Sequence, residues 1–197
     1  MVIKTVHLDS IYVNIHQELI EACSRGDRDA QFKIYKLYYK AMYNTSLRIV
    51  NNSAEAEDIM QECFLDAFRQ IGSYSGEGSF GSWLKRIVVN RSLDYLRKYK
   101  ETVSLEMQTL DLPDDNDSGY HEMIQYQVAE VCKAISELPD DYRIILSLFL
   151  LEGYDHEEIS QILNITNQLS RTRYSRARQK LISVLKEKGR LYSCCKN

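Results

Sequence analysis

Between residues 53 and 71, Ala56, Ile59, Met60, Cys63, Phe64, Ala67, Phe68 and Ile71 recur at steps of three and four. That period belongs to an α-helix with one buried face. The other face carries Glu57, Asp58, Gln61, Glu62 and Asp66. Similar spacing continues through most of the chain, and little interrupts it: 197 residues hold two prolines and eight glycines. β-Branched residues form no alternating runs, so helices are favoured over sheet. The expected fold class is all-α, with two small helical domains joined by an acidic, flexible linker.

Read in order, residues 1–14 form a patternless lead-in. Helical spacing begins near Ile15 and uses Leu19, Ile20 and Cys23 until Gly26. Asp27 caps a second, longer helix with Ala30, Ile34, Leu37, Tyr38, Ala41, Thr45 and Ile49 on its inner stripe. Asn51-Asn52 stops it, and Ser53 caps the acidic helix described above, whose first-turn carboxylates suit the helix dipole. Residues 72–78, rich in glycine and serine, form a loop. Ser79 then caps a basic helix. Trp83, Leu84, Ile87, Val88, Arg91 and Tyr95 face its core side, Arg91 at the edge; Lys85, Arg86, Asn90, Asp94, Arg97 and Lys98 face outward. These four helices make a domain over residues 15–100.

Residues 101–119 lack periodicity and read as a tether. A second domain over 120–190 starts with a helix carrying Met123, Tyr126, Gln127, Val131, Ala134, Ile135 and Leu138. Pro139 begins the next helix, which holds the apolar run 144–151. Asp155 and Glu158 match a capping box. Ile159, Ile162 and Leu163 line a short helix, Asn164 ends it in the left-handed conformation, and Thr166 caps the last helix. That helix turns Tyr174, Ala177, Leu181 and Val184 or Leu185 inward, and Arg171, Thr172, Ser175, Arg176, Gln179 and Lys180 outward. A short helix, a tight turn and a helix with basic first turns form a helix-turn-helix, whose second helix enters the major groove of duplex DNA. The tail, 191–197, shows no pattern.

The net charge of −3 hides segregated blocks. Residues 84–100 hold six basic side chains and one acidic; 101–122 hold seven acidic and no Lys or Arg; 171–190 hold eight basic and one acidic. Blocks of this kind build local fields. Tyr74, Phe80 and Trp83 beside a basic helix suit single-stranded nucleic acid, with bases stacked on rings and phosphates on arginines. Trp83 by itself reads more readily as core than as a ligand contact. The acidic face of residues 57–66 reads either as solvated surface or as a docking face for a basic partner.

Other chemistries find little support. The five cysteines form no CxxC pair, so reduced thiols in a cytoplasmic protein are expected, Cys194 and Cys195 included. His156-Glu157-Glu158 lacks the HExxH spacing, and a helix start accounts for the two glutamates. The carboxylates Glu57, Asp58, Glu62 and Asp66 lack the matching carboxylates and histidines that a di-metal centre takes from other helices. No phosphate-binding glycine loop and no catalytic triad emerges, so no cofactor, no metal and no enzyme activity are expected. The start of the chain lacks a signal peptide, and its longest apolar run is too short for membrane insertion.

Residues 56–68 resemble the polymerase-binding segment of bacterial sigma factors of the extracytoplasmic-function group, within the sigma-70 family. Phe80-Gly81-Ser82-Trp83-Leu84-Lys85-Arg86-Ile87-Val88-Val89-Asn90, with Asp94, Leu96 and Arg97, is similar to the promoter-melting helix of that group. Leu138-Pro139-Asp140-Asp141-Tyr142-Arg143, Glu157-Glu158-Ile159 and Ser175-Arg176-Ala177-Arg178-Gln179-Lys180-Leu181 resemble its second conserved region. The likeness spans roughly residues 15–190, in order, without the middle region of larger sigma factors.

The resemblance implies a transcription initiation factor with core RNA polymerase and promoter DNA as partners, and an anti-sigma factor as inhibitor. Asp58, Gln61 and Glu62 would dock on the clamp helices of the polymerase large subunit. Tyr74, Phe80, Trp83, Arg86, Asn90, Asp94 and Arg97 would open the −10 element and hold unpaired bases. Arg171, Thr172, Arg173, Ser175, Arg176 and Arg178 would read the −35 element as duplex. The acidic linker would run through the polymerase toward the RNA exit channel. A plain helix-turn-helix regulator, acting without polymerase, is the alternative; it leaves the acidic and Trp83 helices idle. One departure stands out: the family's usual Gly-Thr-Val is Gln168-Leu169-Ser170 here. Leu169 would be an exposed apolar residue, and Ser170 would place a hydroxyl in a core slot, bonded back to a backbone carbonyl.

Overall fold

A computed structural model describes residues 16–76, 78–102 and 119–187. The expected lead-in, most of the linker, Glu77, and the tail with Cys194 and Cys195 lie outside the described residues. Among those described there are helices and turns and no strand. The helices are α1 (Gln17–Ser24), α2 (Arg28–Val50), α3 (Ser53–Arg69), α4 (Phe80–Thr102), α5 (Gly119–Ser136), α6 (Asp140–Leu146), α7 (His156–Leu163) and α8 (Asn167–Glu187). No described helix is long and apolar enough to cross a membrane. The chain divides into two units, one from Met1–Ser46 and Ala54–Tyr95, the other from Leu47–Ser53 and Leu96–Asn197.

In the first unit, Asp27 Oδ1 accepts the backbone N–H groups of Asp29 and Ala30 at 2.9 and 3.1 Å and so starts α2. α3 opens at Ser53 itself, so Ser53 lies inside the helix instead of capping it. Its buried stripe is Ala56, Ile59, Met60, Cys63, Phe64 and Ala67, as the spacing predicts. The α2 stripe differs from expectation. Leu37 and Ala41 are exposed, whereas Met42 and Ser46 are buried. Steps of four from Ala30 lead through Ile34 and Tyr38 to Met42 and Ser46, and Leu37 falls beside that row.

Two features set the packing of α2 on α4. A methyl at Gly81 would stand 3.0 Å from Tyr38 Cε1, so the helices approach where glycine leaves room. Ser92 Oγ donates to the Val88 carbonyl at 2.8 Å. Its 3.0 Å bond with Ser46 Oγ is therefore donated by Ser46, since each hydroxyl has one proton. Burial pushes the Cys63 thiol up to about 12, which keeps it protonated and inert.

In the second unit, α6 and α7 pack on α8, and α5 packs on both α6 and α8. Ile135, Ile145, Leu146, Leu148, Ile159, Ala177 and Leu181 fill its core. The apolar run is not one regular helix. After α6 the chain widens into a π turn over Ser147–Leu151, closed by Glu152 N–H to the Ser147 carbonyl at 2.9 Å. Gly153, at φ 81°, then reverses the chain. Arg143 is buried; its Nη1 donates to Asp140 at 2.8 Å and its Nη2 to the Ile49 carbonyl at 2.9 Å. Arg48 Nη1 meets Glu152 Oε1 at 2.8 Å, and that carboxylate side chain is 2% exposed.

Candidate nucleic-acid and docking interfaces

The acidic face of α3 is open. Asp58, Gln61 and Glu62 are exposed, one helical turn apart, with Leu65 exposed on the next turn. α4 supplies a cation to it: Arg91 Nη2 lies 3.1 Å from Glu62 Oε2 and 3.3 Å from Asp66 Oδ2. Arg91 is exposed, not at a core edge, so the inner stripe of α4 is displaced from the expected one. Its buried residues are Phe80, Leu84, Val88, Val89, Ser92, Leu93 and Leu96, while Trp83, Ile87 and Tyr95 are half-buried.

This displacement turns Trp83 toward the basic side. Tyr74 lies 5.6 Å from Trp83 and 5.5 Å from Phe80, ring centroid to centroid, and Phe80 lies 5.3 Å from Trp83. Tyr74 Oη donates to the Gly78 carbonyl at 2.8 Å, which closes the loop before α4. Ser79 Oγ accepts the Ser82 N–H at 3.1 Å and caps that helix as expected. Phe80, expected among the DNA-contacting residues, has 0% exposure. Its ring also meets Tyr38 at 5.6 Å, so it is the floor on which Tyr74 and Trp83 rest and presents nothing to solvent. Arg86, Asn90, Asp94 and Arg97 are exposed along α4, on the side to which Trp83 is half-turned.

The helix-turn-helix is built as the spacing predicts. Asp155 accepts from Glu157 and Glu158 N–H, both at 2.8 Å, and Glu158 answers to Asp155 N–H at 2.9 Å, a complete capping box. Asn164 takes φ 53°, ψ 50°, the left-handed turn between the helices. Thr166 Oγ1 accepts the Leu169 N–H at 3.2 Å at the start of α8. Arg171, Ser175, Arg176 and Arg178 are exposed, whereas Thr172 and Arg173 are half-exposed. Thr172 Oγ1 donates back to the Gln168 carbonyl at 2.9 Å.

Two ties between α7 and α8 escape sequence reading. Ser170 bonds to His156 Nδ1 at 2.9 Å and not to a backbone carbonyl. The His156 ring stacks on Phe149 at 4.7 Å and meets Tyr174 edge-on at 5.5 Å. This histidine therefore holds the turn together, and Glu157 and Glu158 serve the cap. The second tie is a relay. Asn167 Nδ2 donates to Glu157 Oε2 at 2.9 Å, which leaves Asn167 Oδ1 to accept Arg171 Nε at 2.8 Å. With Nε engaged, the terminal nitrogens of Arg171 extend as a fork, the geometry that grips guanine or phosphate. The spacing of Asn167 and Arg171, four apart on a helix, was a legible signal for this contact; the fourteen-residue separation of His156 and Ser170 was not.

Two family models match the chain, one over the N-terminal helices and one over the C-terminal helices. Residues 34–102 match the family model "Sigma-70 region 2", and residues 129–181 match "Sigma-70, region 4". The chain is 30% identical to the RNA polymerase sigma-H factor of Pseudomonas aeruginosa, across 86% of this chain and 93% of that one. It is 33% identical to the ECF RNA polymerase sigma factor SigM of Bacillus subtilis, across 76% of this chain and 91% of the relative. Among solved structures it is similar to the sigma factor RpoE in complex with the anti-sigma factor NepR from Bartonella quintana. That likeness has a TM-score of 0.58 and 22% identity, over 78% of this chain and 95% of the other. The similarity to CnrH, in complex with the cytosolic domain of CnrY, has a TM-score of 0.53 and 18% identity, over 86% and 96% of the two chains.

Proposed function

The chain belongs to the extracytoplasmic-function group of the sigma-70 family and directs RNA polymerase to promoters as an alternative sigma factor, and we propose that it divides this work among three faces. It is a transcription initiation factor and not an enzyme. The α3 stripe of Asp58, Gln61 and Glu62 docks on basic residues of the polymerase clamp. Trp83, Arg86, Asn90, Asp94 and Arg97, with Tyr74 at the loop, hold the unpaired −10 strand. Arg171, Thr172, Arg173, Ser175, Arg176 and Arg178 engage the −35 duplex. In this reading residues 15–100 and 120–190 are the two working domains, 101–119 tether them, and the protein acts in the cytoplasm. An anti-sigma partner restrains it by covering these same faces.

The observation that carries the −10 assignment is the tilt of α4. Trp83 is half-exposed on a buried Phe80, with the exposed Arg86 one turn on and the exposed Asn90 and Arg97 further along the same helix. An aromatic supported from below and flanked by cations offers a stacking surface and phosphate contacts together. The test is reconstitution. The purified chain should co-elute with core polymerase at moderate salt, and the resulting holoenzyme should open a −10 element. Failure to form a complex with core would refute the α3 assignment. Complex formation without strand opening would refute the α4 assignment.

A further inference from the structure

Leu169 is the third residue of α8 and is 39% exposed. Among the described residues of α8 it is the one exposed large hydrophobic; the other exposed positions are polar or charged. Its backbone is held by the bond from its N–H to Thr166 Oγ1, so its place at the head of the helix is set. The helix buries the next residue, Ser170, and turns Ala177 and Leu181 inward with it, so Leu169 has no route to the core. Arg173 and Arg176 follow at four and seven positions, on the flank of the helix that Leu169 begins.

An exposed apolar side chain followed by arginines on the same helix flank fits a polyanion that offers one apolar group. In the major groove that group is the C5-methyl of thymine. The N-terminal turn of a helix-turn-helix reading helix is also the part that meets base edges. We propose that Leu169 is a specificity-determining residue of α8 that packs on a thymine methyl in the −35 duplex. This rests on the assignment of α8 to that duplex. The arginines bring the helix to the phosphates with little regard to sequence. Leu169 then adds discrimination at one A·T pair, because burying a methyl against leucine is favourable and the other bases present no such group to it.

The experiment uses holoenzyme made from the full chain and core polymerase. A −35 duplex is first selected from a random library, and each thymine is then replaced in turn by deoxyuridine, which lacks only the methyl. At one position the replacement should weaken binding about fourfold, the worth of one buried methyl. Leu169→Ser, which leaves no methyl to meet the base, should abolish that dependence, and Leu169→Met, which keeps an apolar side chain, should retain it. Unchanged binding at every deoxyuridine position, or a methyl dependence that survives in Leu169→Ser, overturns the proposal. A selected site with no fixed A·T pair overturns it as well. If no sequence is enriched at all, the −35 assignment of α8 fails, and the proposal with it. Because Leu169 is exposed, Leu169→Ser should unfold at nearly the same temperature as wild type, which separates base reading from misfolding.

Discussion

His156 Nδ1 lies 2.9 Å from Ser170 Oγ and joins the first residue of α7 to the fourth of α8. Ser170 has 0% exposure, so its hydroxyl depends on this histidine. His156→Phe keeps the ring against Phe149 and removes the nitrogen. It should cost about 1–3 kcal/mol, the usual penalty for orphaning a buried polar group. Adding Ser170→Val removes the orphan and should recover most of the loss. Urea denaturation of the two single variants and the double variant gives the coupling directly; simple additivity would show that the bond contributes nothing.

The same pair gives unfolding a pH dependence. Burial, then the nearby Arg171, holds the His156 pKa below its ordinary 6.5, with Asp155 opposing. The folded state therefore favours neutral imidazole, and the unfolded chain takes up the proton more readily. The contribution is whole above about pH 6.5 and is lost as pH falls through the depressed folded value. Wild type should lose more stability between pH 7.5 and 5.5 than the His156→Phe, Ser170→Val double variant. Equal losses would assign the pH dependence to other groups.

Trp83→Ala combined with Asn90→Ala should spare polymerase binding and impair promoter opening. Both side chains lie on α4, apart from the exposed α3 stripe that carries Asp58 and Gln61. Permanganate footprinting of the −10 thymines checks this. Reactivity equal to wild type would remove both residues from the strand-holding face.

Arg91 competes for Glu62, a carboxylate proposed to meet polymerase, since it pairs with Glu62 at 3.1 Å and with the neighbouring Asp66 at 3.3 Å. These pairs are on the surface and each is worth about 0.2–1 kcal/mol. Arg91→Ala should therefore change folding stability little. It should tighten binding to core polymerase modestly, because Glu62 no longer has an internal partner. A fluorescence titration of core reads the sign, and weaker binding would mean that Arg91 is itself a contact.

Asn167→Ala should release Arg171 from the relay that starts at Glu157. If Arg171 pairs with a base edge, Arg171→Ala costs about 1–3 kcal/mol at one −35 position. Asn167→Ala should then cost less, at that same position. A uniform loss across sequences for both variants would assign Arg171 to phosphate.

The sequence by itself determined the all-helical class, most of the helices and most of their caps. Those follow from neighbours within one or two turns. The α3 stripe from Ala56 to Ala67, the Asp155–Glu158 box, the left-handed Asn164 and the Ser79 and Thr166 caps are contacts of that range. Exposed candidates such as Asp58, Asn90 and Arg176 were legible because the outer side of an amphipathic helix follows from its inner side. The tertiary structure decided which rings and charges meet. The spacing did not show that Phe80 lies under Trp83, that Arg91 turns to Glu62, or that Leu37 stays outside while Met42 goes in. A helix can roll by tens of degrees and keep its period, so the partner's shape sets the final angle. The bond from His156 to Ser170 depends on where α7 comes to rest on α8, and that is settled by packing around the turn at Asn164 and not by any local pattern.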